Sequence, residues 1–367
     1  MTHASADCCV VVVVGRLAGV KTPHGDAPCW HTRVERAPAS TSHVGARMPC
    51  STSHEAEFAS ALGLASCKAI TGWPRLALRP LCVPRAVALQ EAVGSDLSVL
   101  TWVNTTAGFN MLVHRDHDVV SGSIRRARKW EYDHLSYMEA QRPPRRKRYC
   151  DIGANLGYHT LVAASRGYEV DAFEALPANA AMINMSLCAQ RRSIARRVRL
   201  RNIGVSSSPR TCVFVSSRSS RADGIPRCDL PGAHAFKQPG YHVRGSFQMA
   251  RLSDVLTTSY YTMKIDIEGH EHEALGHEGA GAFFRNHHVD FILAESWPVP
   301  DARRAFWAYL EGLGYTLRQA NHMIRRAPAL FDVPFDGHNP PRTLVEYAGV
   351  FDVLATREPQ YGIESKY

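Results

Sequence analysis

A short apolar run, Tyr149-Cys150-Asp151-Ile152, breaks into the glycine-spaced turn Gly153-Ala154-Asn155-Leu156-Gly157 and reopens as a helix at Tyr158-His159-Thr160. Glycine at those two positions lets backbone N–H groups approach a ligand and lets the helix begin without a clashing side chain. A second strand, Glu169-Val170-Asp171-Ala172-Phe173, follows and ends in a carboxylate, Glu174. A strand that turns straight into a helix and is followed by another strand opens an α/β fold, in which ligands bind at the carboxyl ends of parallel strands.

The rest of the chain keeps that alternation. Strands are expected at 149–153, 169–174 and 198–205, with helices at 157–166 and 178–190; Gly167 ends the first helix and Pro177 suits the first turn of the second. A hairpin strand at 211–216 is followed by a stretch at 217–245 rich in Ser, Arg, Gly and Pro, which reads as an inserted loop. Alternation resumes with a strand at 261–266, a helix at 271–284, a strand at 289–295 and a helix at 302–313, and strands at 315–318 and 350–355 close the sheet around a surface loop at 321–346. Upstream, 100–103 and 111–113 read as strands and 124–141 as one helix carrying Trp130, Tyr132 and Tyr137. The pattern divides the chain into a poorly ordered extension at 1–97, a domain at 98–357 and a tail at 358–367.

Composition narrows the class. The chain has 367 residues, 45% of them hydrophobic and 21% charged, and a net charge of +9 that favours anions without specifying nucleic acid. Its ten cysteines form no Cys-x-x-Cys pair, which argues against a zinc ribbon or a thioredoxin-type motif. Cys150 and Cys188 occupy expected core positions, so the cysteines read as reduced thiols and an intracellular compartment is favoured. Residues 27–54 carry one acid, Glu35, which is compatible with an organelle-targeting segment but fits a disordered extension better. No run of residues has the length and apolarity needed to span a bilayer. The basic run Arg142 to Arg148 lacks the interleaved aromatics that stack bases and reads as a solvated linker, so nucleic acid is disfavoured as a partner. The string His270-Glu-His272 to His277 is no zinc motif: Gly276 stands where the second ligand belongs, and no metal is assigned.

A carboxylate at the end of the second strand can accept both ribose hydroxyls of a nucleoside, as in dinucleotide-binding proteins. The Gly-x-Gly-x-x-Gly spacing of that class is missing, however, because Asn155 and Tyr158 replace the second and third glycines. The turn and Glu174 then point to a different nucleoside cofactor, against the plainer alternatives of a helix-packing turn and a surface strand end.

Four ordered segments sharpen this: Asp151-Ile-Gly-Ala-Asn-Leu-Gly-Tyr-His-Thr, Ala172-Phe-Glu-Ala-Leu-Pro-Ala-Asn, Asn202-Ile-Gly-Val-Ser and Met263-Lys-Ile-Asp-Ile-Glu-Gly-His-Glu. With His117-Asp118-Val-Val-Ser and Lys129-Trp130-Glu131 upstream, they resemble the FkbM-type methyltransferase family over residues 110–357. The resemblance implies a class I Rossmann-like methyltransferase fold, a mostly parallel twisted sheet with helices on both faces, and S-adenosylmethionine as cofactor. It also implies that Asp151, Gly153, Asn155 and Gly157 surround the methionine moiety, that Glu174 holds the ribose, and that residues after the third strand, from Asn202, flank the adenine. The chain departs from the family at Ala175, where proline is common.

Methyl transfer to a hydroxyl requires an aligned acceptor and a proton acceptor. Asp266 is the leading candidate to orient or deprotonate the acceptor, His270 is a competing base, and Glu268, two residues beyond Asp266, is a supporting carboxylate. Glu295 ends the next strand and is expected to face the same crevice, whereas Lys264 is expected to point away from it. The resulting expectation is O-methylation of a small metabolite, sugar or glycan. RNA or protein methylation is an alternative carried only by the basic balance, and a non-catalytic binding module of the same fold is another.

Overall fold

The structure, a computed structural model, describes residues 53–63, 70, 72–94, 96–115, 118–217, 224–228, 239–319 and 333–358. The candidate targeting segment, His117, much of 217–245, the first half of the 321–346 loop and the tail beyond residue 358 lie outside the described residues.

Helices α1 (Ser53–Ala61) and α2 (Val83–Val93) precede a hairpin of β1 (Leu100–Asn104) and β2 (Asn110–His114). The sequence suggested few elements before residue 98, and helices this short are not stable alone. Tertiary packing supplies what propensity lacks: Phe58, Trp73 and Trp102 form a chain of edge-to-face rings with centroids 5.9 and 5.7 Å apart. Ala86 and Leu89 of α2 are fully buried.

Two helices, α3 (Val119–Ala127) and α4 (His134–Gln141), replace the single helix expected at 124–141. Arg128 and Glu131 take left-handed φ values of 57° and 50° between them, and Asp133 Oδ1 accepts the Ser136 N–H at 3.0 Å to start a new helix. The break carries Glu131 into the site described below.

The chain then runs through β3 (Arg148–Ile152), α5 (Tyr158–Ser165), β4 (Glu169–Phe173), α6 (Pro177–Cys188), α7 (Arg192–Ala195) and β5 (Val198–Arg201). Next come β6 (Gly204–Val205), β7 (Arg210–Ser217), β8 (Ile225–Arg227) and β9 (Tyr241–Ala250), which form a separate sheet in the order β6-β9-β7-β8. Part of the stretch expected as loop is therefore strand, because β7 pairs both with its near neighbour β8 and with β9, far along the chain.

After α8 (Leu252–Val255) come β10 (Tyr260–Ile265), α9 (Glu271–Leu275), α10 (His277–Asn286), β11 (Val289–Ser296), α11 (Pro300–Gly312), β12 (Thr316–Gln319), β13 (Val333–Phe335), α12 (Arg342–Val345) and β14 (Phe351–Thr356). Among the described residues the main sheet has the order β13-β12-β14-β11-β10-β3-β4-β5. Strands β11, β10, β3, β4 and β5 are parallel, and β14 runs antiparallel between β11 and β12. The chain steps outward from β3 to β5 and returns to lay β10 on the other side of β3, so strand order reverses between β3 and β10. This is a doubly wound, Rossmann-like topology, and its ligand crevice belongs at that reversal.

Strand β10 is buried at every position, as expected of a central parallel strand covered on both faces. Met263 and Ile265 share a core cluster with Phe283 of α10 and Phe306 and Trp307 of α11. On the other face, Thr262 Oγ1 meets Met138 Sδ of α4 at 3.4 Å. Lys264 lies on that second face with Thr262, which decides where its ammonium goes.

Two disulfides correct the thiol expectation. Cys82, ahead of α2, is bonded to Cys188 at the end of α6, and Cys212 of β7 to Cys228 just after β8, while Cys150 is a buried free thiol. The first pair is 106 residues apart in sequence and is brought together only by the packing of α2 on α6, so no local spacing shows it. These bonds remove the cysteine argument for a reducing compartment.

Candidate active site

The β3–α5 turn is shaped by backbone. Gly153 and Ala154 both donate to Phe173 O, at 3.0 and 2.9 Å, and Asp266 N donates to Ile152 O at 3.0 Å, so the ends of β3, β4 and β10 are laced together. Gly153 has φ +81°, and a Cβ there would stand 1.8 Å from Asp266 O, so the laced strand ends leave room for glycine alone. Asn155 is left-handed at φ 52°. That conformation directs its backbone N–H to Glu174 Oε2 at 2.7 Å, while Leu176 N donates to Glu174 Oε1 at 2.8 Å. Burial nevertheless outweighs these bonds and pushes the Glu174 carboxyl up to about 8.

A cavity of about 260 Å³ opens at the strand ends. Gly153, Asn155, Glu174, Asp266, Glu268, His270 and Glu295 line it, together with Lys264. Asp151, Gly157 and Asn202 do not line it and serve behind the surface. The buried Asp151 carboxylate accepts from Thr160 Oγ1 at 2.5 Å, tying the turn to α5. Gly157 takes φ +82° ahead of α5 and packs its backbone against Ile183. Asn202 Nδ2 donates to Glu174 O at 2.7 Å and Ala175 O at 3.0 Å, bracing the β4–α6 corner.

Lys264 points into the cavity, contrary to expectation. Its ammonium meets Asp266 Oδ2, just past the end of β10, at 2.8 Å. Burial works to lower the lysine, but the Asp266, Glu131 and Asp151 carboxylates prevail and hold it above its ordinary range. Asp266 stays open to the cavity, with 32% of its side chain exposed. Burial, reinforced by the charges of Asp266 and Glu271, pushes Glu295 up to about 9, and Trp297 Nε1 donates to its Oε2 at 2.7 Å.

The turn after β10 depends on Glu271, whose Oε1 accepts from Ile267 N at 2.8 Å and Gly269 N at 3.3 Å. Strand alternation ends at Ile265, and Glu268 reaches the cavity through a left-handed φ of 58° and not through strand pleating. His270 stands at the head of α9 with Nδ1 3.5 Å from Glu273 Oε1. The His270 hydrogen bond, aided by Ser206 and Arg210, holds Glu273 down at about 2.

Two lining residues were not singled out in the sequence. His159 Nε2 lies 3.0 Å from Glu131 Oε2, and both side chains border the cavity. Glu131 was visible only inside the Lys129-Trp130-Glu131 motif, and its arrival depends on the α3–α4 break. The opposite wall is apolar, with Ile203, Val205, Phe214, Phe247 and Met249 beside Gly224 and Pro226.

Residues 151–317 match the family model for the methyltransferase FkbM domain. No curated protein matches the chain. Three solved structures are similar in part. A precorrin-6y C5,15-methyltransferase from Geobacter metallireducens GS-15 is 15% identical, with a TM-score of 0.32 over 61% of this chain and 87% of that one. Methyltransferase FkbM from Methylobacillus flagellatus KT is 14% identical, with a TM-score of 0.35 over 60% of this chain and 47% of that one. A SAM-dependent O-methyltransferase from Thermotoga maritima is 10% identical, with a TM-score of 0.33 over 71% of this chain and 79% of that one. The family match falls on the segment that builds the β3–β10 crevice.

Proposed function

We propose that the chain is an S-adenosylmethionine-dependent methyltransferase acting on a hydroxyl oxygen of a small metabolite, sugar or glycan. The observation that carries the reading is one cavity joining the glycine turn and Glu174 at one end to Asp266 at the other. Asn155 Oδ1 is buried there without a hydrogen-bond partner, an unmet acceptor of the kind a bound ligand satisfies. Gly153, Asn155 and Glu174 would hold the cofactor, with the Glu174 carboxylate taking the ribose hydroxyls. S-adenosylmethionine, when bound, supplies an electrophilic methyl group.

The chain's own part is alignment and proton handling. Asp266 Oδ2 is fixed by Lys264 Nζ at 2.8 Å, which leaves Oδ1 to accept the proton of an acceptor hydroxyl. Glu295, which keeps its proton up to about 9, can donate a hydrogen bond into the same space. One carboxyl that accepts and one that donates can orient a neutral hydroxyl without a full charge on the acceptor.

Calorimetric titration with S-adenosylmethionine tests the reading. The wild type should bind, and Glu174→Ala should bind at least tenfold more weakly; unchanged affinity would sink the cofactor assignment.

A further inference from the structure

The apolar wall of the cavity includes the ends of a very short strand. Strand β8 has three residues and, among the described residues, pairs with β7 alone, through Val213↔Arg227, Phe214↔Pro226 and Val215↔Ile225. Its central residue is a proline, which contributes no N–H to the ladder. Gly224 and Pro226 nevertheless border the cavity. Gly224 lies so close to β7 that an added Cβ would stand 2.4 Å from Val215 O and 2.9 Å from the Phe214 ring.

The Cys212–Cys228 disulfide joins the end of β8 to β7 covalently, with its Cα atoms 4.2 Å apart. The bond sits behind the lining. Cys212 belongs to one buried cluster with Phe214, Phe247 and Met249, and Cys228 packs against that cluster with Sγ 3.9 Å from Met249 Sδ. These three cluster residues all face the cavity. The disulfide and the cavity wall are therefore two sides of one layer.

We infer that Cys212 and Cys228 are positioning residues of the cofactor site, and that the cavity binds its ligand fully only when they are joined. Thiol–disulfide exchange with a dithiol breaks the one S–S bond, gives two thiols and leaves the dithiol as a cyclic disulfide. The covalent tie between β7 and the end of β8 is then lost, and the wall loosens. The other disulfide, Cys82–Cys188, lies outside the cavity lining and serves as the control.

The inference rests on reading the cavity as an S-adenosylmethionine site, and the two fail differently. If the oxidised wild type does not bind S-adenosylmethionine, the proposed function falls; if it binds, the dependence of that binding on the disulfide decides the inference. Calorimetry on Cys212→Ser/Cys228→Ser should show at least a tenfold rise in Kd, while Cys82→Ser/Cys188→Ser stays within about threefold despite losing thermal stability. In that second variant, dithiothreitol should reproduce the rise. Gly224→Ala, which keeps both disulfides but pushes β8 off β7, should also weaken binding and covers the case in which the double serine variant does not fold. Wild-type affinity in Cys212→Ser/Cys228→Ser, equal losses in both double variants, or wild-type affinity in Gly224→Ala where the serine variant is unfolded, would overturn it.

Discussion

The wall built by β3, β4 and β10 and the wall built by β7, β8 and β9 line the same cavity, but different forces hold them. The first is laced by backbone hydrogen bonds between adjoining parallel strand ends, so its shape follows from the main chain, with glycine and left-handed asparagine where the path demands them. The second is a small sheet with one three-residue strand, an apolar layer and a covalent cross-link. A wall set by backbone tolerates no change of path but considerable change of outward side chains. A wall set by packing and a disulfide can change composition while keeping its place, which suits the side of a site that adapts to different ligands.

That contrast can be broken at several points. The largest effect is chemical. Asp266→Asn should lower methyl transfer by roughly 10²–10⁴-fold, the usual worth of a proton acceptor, while the Kd for S-adenosylmethionine stays within about threefold; radiometric transfer and calorimetry read the two separately. Retained turnover would remove Asp266 from the chemistry. Next, Gly153→Ala places a methyl against Asp266 O and should destabilise the fold by more than roughly 4 kcal/mol in urea unfolding. A small loss there would mean that the strand ends are not rigidly laced. Lys264→Met leaves Asp266, Glu131 and Asp151 without their shared cation and should cost roughly 3 kcal/mol, with Lys264→Arg recovering part of it.

The carboxyls of the site also predict a pH slope. Glu174, Glu271 and Glu295 are raised to about 8, 7 and 9, so the ligand-free folded state holds protons that the unfolded chain has released. Stability then falls as pH rises through those folded values, and the range from pH 7 to 9 lies above the ordinary titration of histidine. Thermal melts across that range should decline, and Glu174→Gln should flatten the decline; an identical slope in the variant would remove Glu174 as a source. The smallest effect is expected at Gly157→Ala, roughly 1–2 kcal/mol for a left-handed residue with Ile183 alongside.

The two walls also differ in how far the sequence displays them. The turn 153–157, Glu174 and the Asp266–Glu268–His270 string could be read because each follows from local order along a strand–turn–helix unit. Lys264 turns into the cavity to meet Asp266 just beyond the strand end, a contact the strand pattern alone does not reveal. Glu131 reached the cavity through a helix break set by the Asp133 cap, a competition between two helix signals that periodicity alone does not resolve. Strands β8 and β9 and both disulfides arise from pairings between distant residues, and there the sequence offers composition without partners. Asp151, Gly157 and Asn202 show the reverse limit: a motif marks them, but their positions support the cavity from behind.

The link between Cys82 and Cys188 has a consequence for how the chain is made. At roughly 5–20 residues per second, the 106 residues that separate the two take about 5–20 s to synthesise. Throughout that interval Cys82 has no native partner, while the cysteines at 8, 9, 29, 50 and 67 have already emerged and Cys150 follows before Cys188. Early burial of Cys150 in β3 would therefore remove one competitor for the pairing, and a chain in which β3 is slow to pack would keep that competitor exposed for longer.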